Sequence, residues 1–403
     1  MRGDGSGDRP PAPRGWPAGF GRGQDRGDLL RLTTLAGIRP LQLHELAWTT
    51  GSAAGCVRAI RAGRAGTPGD RECLSGLDAD ELERAVAALD ARLGVAGDPD
   101  YPERLLDLED PPVAVFVRGR SLADQPPMVA VVGSRSCSTL GRDVALDLGR
   151  TLAGVGFCVV SGAARGIDES AHQGALTARG RTVAVLGAGI DRPYPRTGTA
   201  LLRRILDQGG TLVAEYPPGV APHARHFPAR NRLIAALAIA VVVVEGAEKS
   251  GSRITAGHAL DLGRDVVAVP GPITSPLSVT PHELIRDGAA VFLGTEDLLR
   301  QLGVAERLAE RPPPDLSDQE RRVWDALAEA NLPDGVARRA GLSIPEAVGV
   351  LTQLELRDLV QGAGGRYERR YQPTPPPAEV GSTAQEASAG GRAGVPAEGE
   401  RTG

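Results

Sequence analysis

The sequence predicts an α/β protein with an extended Rossmann-like, doubly wound, mostly parallel sheet, a small N-terminal helical domain and a C-terminal winged-helix-like domain. Val-rich runs alternate with helical stretches through the middle of the 403-residue chain, as in parallel sheets covered on both faces. Only 3% of the residues are aromatic, so aliphatic side chains must form the core. Several Val-rich runs also border clusters of Gly, Ser and Arg, whose amides and guanidinium groups suit phosphates.

The N-terminal region divides into two parts. Residues 1–27 are mostly Gly, Arg, Asp and Pro and are expected to be disordered. Residues 28–97 are expected to form about four helices, in a domain similar to a sterile-alpha-motif (SAM) or helix-hairpin-helix domain. Leu82, Val86, Leu89 and Leu93 have helical spacing, which predicts that they line one face of a single helix.

The central domain is predicted to span residues 98–303. A short strand is expected at 113–117, after the break Asp110-Pro-Pro112. The strands of the main sheet are expected at 128–132, 157–161, 182–186, 211–214, 239–245, 265–269 and 290–293. The helices between them include 141–152, 168–178 and 200–206.

The C-terminal region is predicted to contain a linker at 304–317, a winged-helix-like domain at 318–372 and a disordered tail at 373–403. Ser317 with Glu320, and Ser343 with Glu346, match the capping box that marks a helix start. Three helices followed by a small hairpin give the winged-helix outline. Its arginines could contact either DNA or a protein partner.

Charge and cysteine content narrow the function classes. The net charge of −4 argues against coating nucleic acid by bulk charge, so a local patch must bind any phosphate. The four cysteines contain no C-x-x-C pair, which disfavours a zinc site or a disulfide framework. No stretch approaches membrane-spanning length, so we expect a cytoplasmic protein that does not bind membranes. We also expect that the protein needs no cofactor.

The loops after the strands are the expected binding site, because ligands collect at the carboxyl ends of strands in open α/β sheets. Gly133, Ser134 and Arg135 follow the first strand of the main sheet without a G-x-G-x-x-G pattern, which disfavours an NAD site. Arg135 could contact a phosphate or could pair with an acid such as Asp168.

A second Gly-rich turn, 161–168, opens the next helix. Its candidate phosphate ligands are Ser161, Gly162, Arg165 and Gly166. Asp168 is interpreted mainly as a cap of that helix. His172, one turn later, is more typical of a packed or hydrogen-bonded histidine than of an acid–base group.

A basic stretch with an embedded aromatic residue covers 219–232. An arginine-rich segment around Phe227 suits a single strand, because phosphates can meet arginines while a base stacks on the ring. The candidates are Arg225, Phe227, Arg230, Asn231 and Arg232. The alternative is that Phe227 belongs to the core and the arginines bond to carboxylates such as Glu215 or Glu245.

Ser250, Gly251 and Ser252 form the last candidate loop. They could be an anion-binding nest or an ordinary helix N-cap. The chain has no H-x-E, H-E-x-x-H or D-x-D pattern near the few acids expected at this edge, so metal-dependent hydrolysis has little support.

At these residues the chain resembles the DNA-processing protein A (DprA/Smf) family. The matching segments occur in order from about residue 98 to residue 303. They are Asp100-Tyr-Pro-Glu-Arg-Leu105, Asp110-Pro-Pro112, Val131-Val-Gly-Ser-Arg135, Ser161-Gly-Ala-Ala-Arg-Gly-Ile-Asp168, Ala171-His172, Ala184-Val-Leu-Gly187, Tyr194-Pro195, Glu215-Tyr-Pro-Pro-Gly219, Phe227-Pro-Ala-Arg-Asn-Arg232, Ser250-Gly-Ser252, Ile254-Thr-Ala256 and Val269-Pro-Gly271.

The resemblance implies a non-catalytic protein that binds single-stranded DNA, protects it and loads the RecA recombinase during natural transformation or homologous recombination. It also implies a homodimer formed through the Rossmann domain. By position, the DNA pocket would use Ser134, Arg135, the turn 161–166, Phe227, Arg230 and Arg232. On this basis, replacing Arg135 and Arg230 together by alanine is expected to weaken strand binding without unfolding the protein.

The sequence departs from the family pattern at Arg253, at Thr197 and in the segment 278–282. Two other function classes remain as alternatives. A phosphoribohydrolase-like enzyme of related shape would carry a P-G-G-x-G-T-x-x-E signature, which this chain lacks. A nucleotide sensor with the winged helix as its output would need a closed pocket rather than an open basic groove.

Overall fold

The computed structural model describes residues 15–303, 316–357, 359–363 and 365–369. The chain divides into two compact units, one up to Gly303 and one from Val304 onward. The predicted tail 373–403 and most of the predicted linker, 304–315, lie outside the described residues. In the described part of the chain, no helix is both long and apolar enough to cross a membrane.

The first unit begins with five α-helices where about four were predicted. Ser52, Thr67 and Asp78 cap three of them, since each side chain accepts a hydrogen bond from a backbone N–H in the first turn. The helices are α1 (Arg26–Thr33), α2 (Pro40–Thr50), α3 (Ala53–Arg61), α4 (Pro68–Gly76) and α5 (Ala79–Ala88).

Two predictions for this region were wrong. Leu93 does not continue the helix of Leu82 and Val86, because α5 ends at Ala88 and Leu93 lies in a strand. Residues 15–27 are not a disordered segment, since Trp16 and Phe20 are buried in the core and their rings stack with centroids 5.0 Å apart. The rest of the predicted disordered segment, 1–14, lies outside the described residues.

A nine-stranded sheet forms the centre of the first unit. Its order is β1-β2-β6-β5-β4-β3-β7-β8-β9, and it is parallel except for β1 and β2, which pair antiparallel at one edge. The strands are β1 (Ala91–Gly94), β2 (Val115–Gly119), β3 (Met128–Val132), β4 (Cys158–Ser161), β5 (Arg181–Leu186), β6 (Thr211–Ala214), β7 (Ala238–Val243), β8 (Asp265–Ala268) and β9 (Ala290–Val291).

Helices connect the parallel strands, as the alternating pattern predicted. Most of the predicted strand bounds agree with the structure to within two residues. The helices are α6 (Thr139–Gly154), α7 (Ile167–Thr177), α8 (Thr199–Asp207), α9 (His226–Leu237), α10 (Gly251–Asp261), α11 (Val279–Arg286) and α12 (Thr295–Gln301). The mostly parallel, Rossmann-like sheet is therefore confirmed.

The predicted division between residues 97 and 98 does not separate two folding units. It falls between β1 and β2, which pair from Ala91 with Arg118 to Gly94 with Val115. One continuous core also joins Leu29 and Ile60 of the helical part to Val160 and Val241 of the sheet. The N-terminal helices therefore pack as part of the sheet domain.

The second unit has the winged-helix outline. Helices α13 (Asp318–Ala326), α14 (Pro333–Ala340) and α15 (Ile344–Leu356) precede a hairpin of β10 (Val360–Ala363) and β11 (Arg366–Arg369). Both predicted capping boxes are present, at Ser317 with Glu320 and at Ser343 with Glu346. Val323, Trp324, Leu351 and Leu354 lie in its separate core.

Candidate nucleic-acid interface

The candidate site lies where the strand order reverses. Strand β3 has β4 on one side and β7 on the other, so the loops after β3 and β7 diverge and leave a crevice at the carboxyl edge. A groove of about 660 Å³ occupies this position. The loop Gly133–Ser136, the start of α9 and the segment Ala247–Ser252 line it.

The loop after β3 is held by close contact with the turn before α7. Gly166 has a φ of +85°, and a Cβ at this position would lie 2.4 Å from the carbonyl oxygen of Ser134. That oxygen accepts a hydrogen bond of 3.2 Å from the Ile167 N–H. Only glycine fits both the backbone conformation and the space, so Gly166 fixes the position of Ser134 and Arg135.

Arg135 projects over an aromatic ring at the groove. Its Cζ atom lies 5.2 Å from the centroid of the Phe227 ring, within the range of a cation–π contact. The Phe227 ring packs on Gly187, where a Cβ would lie 2.8 Å from the ring. The alternative pairing of Arg135 with Asp168 is not observed, and the Arg135 side chain is exposed.

Tyr194 and Lys249 are groove residues whose side chains suit DNA contact, and both were absent from the sequence-based candidates. Tyr194 lies against Phe227 with ring centroids 5.2 Å apart and is 51% exposed. Lys249 brings a third cation to the lining, beside Arg135 and Arg230. The sequence shows a tyrosine and a lysine in loops that follow strands of the sheet. It contains no spacing pattern that relates these two loops to the loop of Arg135, so their proximity could not be predicted.

The Asp168 side chain forms hydrogen bonds with the turn that precedes its own helix. Its carboxylate accepts hydrogen bonds from the N–H groups of Gly162 at 3.1 Å and Ala164 at 3.4 Å. Burial raises the pKa of this carboxyl, although the nearby Arg230 guanidinium and the two amides act in the opposite direction. The expectation that Asp168 caps this helix was wrong: Gly166 is the N-cap residue without a side-chain cap, and the Asp168 carboxylate holds the preceding loop instead.

Arg230 lies buried beneath the groove, whereas the sequence analysis placed it among the arginines that contact phosphates. Its side chain is buried, and its guanidinium donates to the carbonyl oxygens of Val185 and, at 2.8 Å, Gly162. Burial lowers the pKa of Arg230 to about 10, against the favourable charge of Asp168. Replacing Arg230 by alanine is therefore expected to destabilise the fold, in contrast to the sequence-based expectation, because two buried carbonyl oxygens would lose their hydrogen-bond donor.

Arg232 does not line the groove, in contrast to the sequence-based assignment. Its guanidinium donates to Glu215 at 2.7 Å and to Asp110 at 3.1 Å, and its side chain is 5% exposed. Burial lowers the pKa of Arg232, but the two carboxylates outweigh this effect and raise it overall. The alternative that the arginines of this segment bond to carboxylates is therefore confirmed for Arg232. Glu245, the other acid considered, instead accepts hydrogen bonds from Ser138.

The segment 250–252 is a helix N-cap that also lies in the groove lining, and its role as an anion-binding nest stays a prediction. Ser250 caps α10, since its hydroxyl accepts a hydrogen bond from the Ser252 N–H. The same residues line the groove beside Asn231, whose side-chain amide donates to the Gly251 carbonyl oxygen at 3.2 Å. This bond ties the start of α10 to α9 across the groove.

The structure brings together one group of the predicted site residues and leaves another group outside the lining. The lining contains Gly133, Ser134, Arg135, Phe227, Arg230, Asn231, Ser250, Gly251 and Ser252. Ser161 is fully buried and donates to the Val131 carbonyl oxygen at 2.7 Å. Arg165 and Arg225 are exposed outside the lining, and Gly162 and Gly166 shape the neighbouring turn.

His172 is a packed histidine, as expected. It is fully buried, and its Nδ1 atom lies 2.6 Å from the Thr182 hydroxyl. Burial lowers the pKa of His172 to about 3. Among the described residues, no group of three or more His, Cys, Asp or Glu side chains could hold a metal ion.

One departure from the family pattern has a local explanation. Arg253 lies on the exposed side of α10 and forms ion pairs with Glu283 and Asp287 on and just after α11. The charged side chain therefore joins α10 to α11 and its C-terminal end by an electrostatic contact.

Comparison with known proteins agrees with this arrangement. The family described as DNA recombination-mediator protein A matches residues 92–303, and the DprA winged helix domain matches residues 307–366. The chain is 41% identical over 279 residues to Protein Smf of Escherichia coli, covering 67% of this chain and 75% of that protein. It is 42% identical over 266 residues to the putative DNA processing protein DprA of Mycobacterium tuberculosis, covering 64% and 68% respectively.

A solved structure shows the same fold. The structure of DNA processing protein A from Streptococcus pneumoniae superimposes with a TM-score of 0.54 at 32% identity, covering 66% of this chain and 99% of that one. The family match spans the sheet and the loops that form the groove, and a second match covers the winged helix. The chain therefore belongs to the DNA recombination-mediator protein A family, the family of the DprA and Smf proteins.

Proposed function

We propose that the groove binds single-stranded DNA without cutting it. The observation that carries this proposal is the placement of the Arg135 guanidinium over the Phe227 ring, beside Tyr194 in the same groove. Arginine and lysine can meet phosphates while the aromatic rings stack with bases, which is the combination that single strands require. Ser134, Asn231 and the segment 250–252 would complete the contacts.

A single strand suits this groove better than a duplex does, and the open groove differs from the enclosed pocket that a free nucleotide would require. Bases in a duplex are stacked on each other, so their faces cannot reach Phe227 or Tyr194 without being pulled out of the helix. Tyr194 is 51% exposed, so the groove is open on its side and a strand can continue past it. A nucleotide sensor would instead enclose its ligand.

Among the described residues, the groove lining holds no histidine and no carboxylate left free to act as a general base for strand cleavage. Asp168 is the one carboxylate among the described residues that line it, and its oxygens are bonded to loop amides. His172 is sealed in the core, where burial depresses its pKa. The proposed role is therefore to hold DNA and not to process it chemically.

Equilibrium binding of a labelled oligo-dT strand and of a matching duplex tests this proposal. A clear preference for the single strand, which falls as salt is raised, is the expected result. Equal affinity for both, or no binding at low salt, would contradict it.

Delivery of the bound strand to a RecA-type recombinase is the second part of the proposal. It is supported by membership of a family described as recombination mediators. The test compares recombinase assembly on a single strand with and without this protein. Faster assembly with the wild-type chain, but not with Arg135→Ala, supports delivery; identical rates in all three samples contradict it.

A homodimer through the sheet domain is the third part. Strand β9 is one of the two sheet edges; Leu293, two residues after it, is 76% exposed, and Ile273, in the loop after the neighbouring strand β8, is 91% exposed. Exposed aliphatic side chains beside an edge strand favour association. Sedimentation should show a dimer that Leu293→Asp converts to monomer, and a wild-type monomer would contradict this part.

A further inference from the structure

The segment that leaves the groove at Tyr194 leads directly into an amphipathic helix. A short 3-10 turn, Arg196–Gly198, follows Tyr194 and continues as α8. Leu201, Leu202 and Ile205 are buried on one side of α8. The opposite side is therefore turned toward solvent.

The solvent side of this segment is basic. Arg196, Arg203 and Arg204 are exposed, and among the described residues none of the three has an ion-pair partner. Arg192 differs, since it lies 3.2 Å from the Asp191 carboxylate. The acidic residue of α8 itself is Asp207, at the end of the helix away from Tyr194.

Helix stability does not explain Arg196. The N-terminal end of a helix carries a partial positive charge, so a cation just before α8 is unfavourable for the helix itself. A bound phosphate would be attracted by both the guanidinium and the helix end. Arg203 and Arg204 lie about two turns further on, roughly 10–14 Å along the segment at 1.5–2 Å per residue.

The direction of α8 carries these arginines away from the groove in one line. Strand β5 ends at the carboxyl edge, and the parallel strand β6 starts at the opposite edge, so α8 between them must run back along the sheet. The open groove has a volume of about 660 Å³, which is comparable to pockets that hold one small ligand. A strand of many nucleotides must therefore continue outside it.

We propose that a single strand leaves the groove beside Tyr194 and continues along Arg196, Arg203 and Arg204, here called the α8 track. This inference rests on the proposed function of the groove and adds a second set of contacts, made to phosphates only. The track has no aromatic side chain and offers no base readout. Its contribution is expected to be independent of base sequence, sensitive to salt and present only for strands long enough to leave the groove.

The test measures binding of labelled (dT)3 and (dT)20 to the full chain and to three variants. Arg203→Glu reverses one charge of the track, Arg135→Ala alters the groove, and Arg58→Glu is a control on the exposed surface of α3. We expect Arg203→Glu to weaken (dT)20 binding about three- to tenfold and to lower its salt slope by roughly 0.7 or more. Binding of (dT)3 should be unchanged in this variant.

The outcomes separate the track from the groove. Arg135→Ala should weaken binding of both lengths, and if it changes neither, the proposed function of the groove fails. If Arg135→Ala acts as expected but Arg203→Glu leaves (dT)20 binding unchanged, the track alone is wrong. An equal loss of (dT)20 affinity in Arg58→Glu would show that bulk charge is responsible and would also contradict the track.

Discussion

The guanidinium of Arg135 lies over the ring of Phe227, 5.2 Å from the ring centroid, and joins two distant segments at one groove. Arg135 comes from the loop after β3 and Phe227 from the first turn of α9. A charge and an aromatic face are thus presented together. This pairing explains why binding should need both a phosphate and an unstacked base.

Replacing Arg135 tests the charge and the stacking separately. Arg135→Ala should weaken oligo-dT binding and lower the salt slope by roughly 0.7, since one phosphate contact is lost. Arg135→Lys keeps the charge but not the planar group, so it should retain the salt slope and recover only part of the affinity. Thermal unfolding should be nearly unchanged in both, because the side chain is exposed. Full affinity in a folded Arg135→Ala protein would refute the role of Arg135.

Arg232 is predicted to act on stability and not on DNA contact. Arg232→Ala should lower the free energy of unfolding by about 3–5 kcal/mol, because Glu215 and Asp110 would lose their buried partner. Arg253→Ala, which removes an exposed ion pair with Glu283, should cost less than about 1 kcal/mol. Urea unfolding measures both. Similar losses in the two variants would show that the Arg232 pairs carry no special weight.

Gly166 offers a test of how the site is held in place. Gly166→Ala should lower both stability and strand affinity, because its Cβ would lie 2.4 Å from the Ser134 carbonyl oxygen. Gly219→Ala is the matched control, with a φ of +87° but nothing within 4 Å of the added Cβ. Both variants place a side chain at a positive φ, but only the Cβ added at Gly166 meets another atom. If Gly166→Ala binds the strand as tightly as Gly219→Ala, loop contact does not position Arg135.

The sheet could be predicted from sequence because its strands are long apolar runs separated by helices. Strand β3 lies at the predicted residues, and β7 differs from its prediction by one or two residues at each end. The helical assignment of Leu93 failed because helical spacing persists by chance across the end of α5. Trp16 and Phe20 were missed because a Gly- and Pro-rich segment can still contribute two rings to a core.

The loops of the site were predictable, but the individual roles of the arginines were not. Arg135, Arg230 and Arg232 look alike in sequence, yet one is exposed, one supports the groove floor and one is held by two carboxylates. The difference arises from tertiary partners such as Asp110, which lies 122 residues away along the chain. Tyr194 was missed because its position depends on the path of a long loop.

The buried His172 predicts a specific loss of stability in acid. Burial lowers the pKa of His172 from 6.5 to about 3. Between pH 6.5 and about pH 3, this histidine is therefore protonated in the unfolded chain and neutral in the folded chain. The free energy of unfolding should therefore fall as the pH drops through this window, by up to about 1.4 kcal/mol per pH unit from this group. His172→Gln should show a flatter dependence between pH 6 and pH 4, whereas His223→Gln, an exposed control, should match the wild type. Parallel curves for wild type and His172→Gln would contradict this assignment.

The most direct test of the central claim is fluorescence anisotropy of an oligo-dT strand and its duplex with the full chain, repeated with Arg135→Ala across a salt titration. The account predicts that the wild type prefers the single strand, and that Arg135→Ala binds it more weakly with a shallower salt dependence. Equal affinity for strand and duplex, or identical salt titrations for the two proteins, would contradict single-strand binding in this groove.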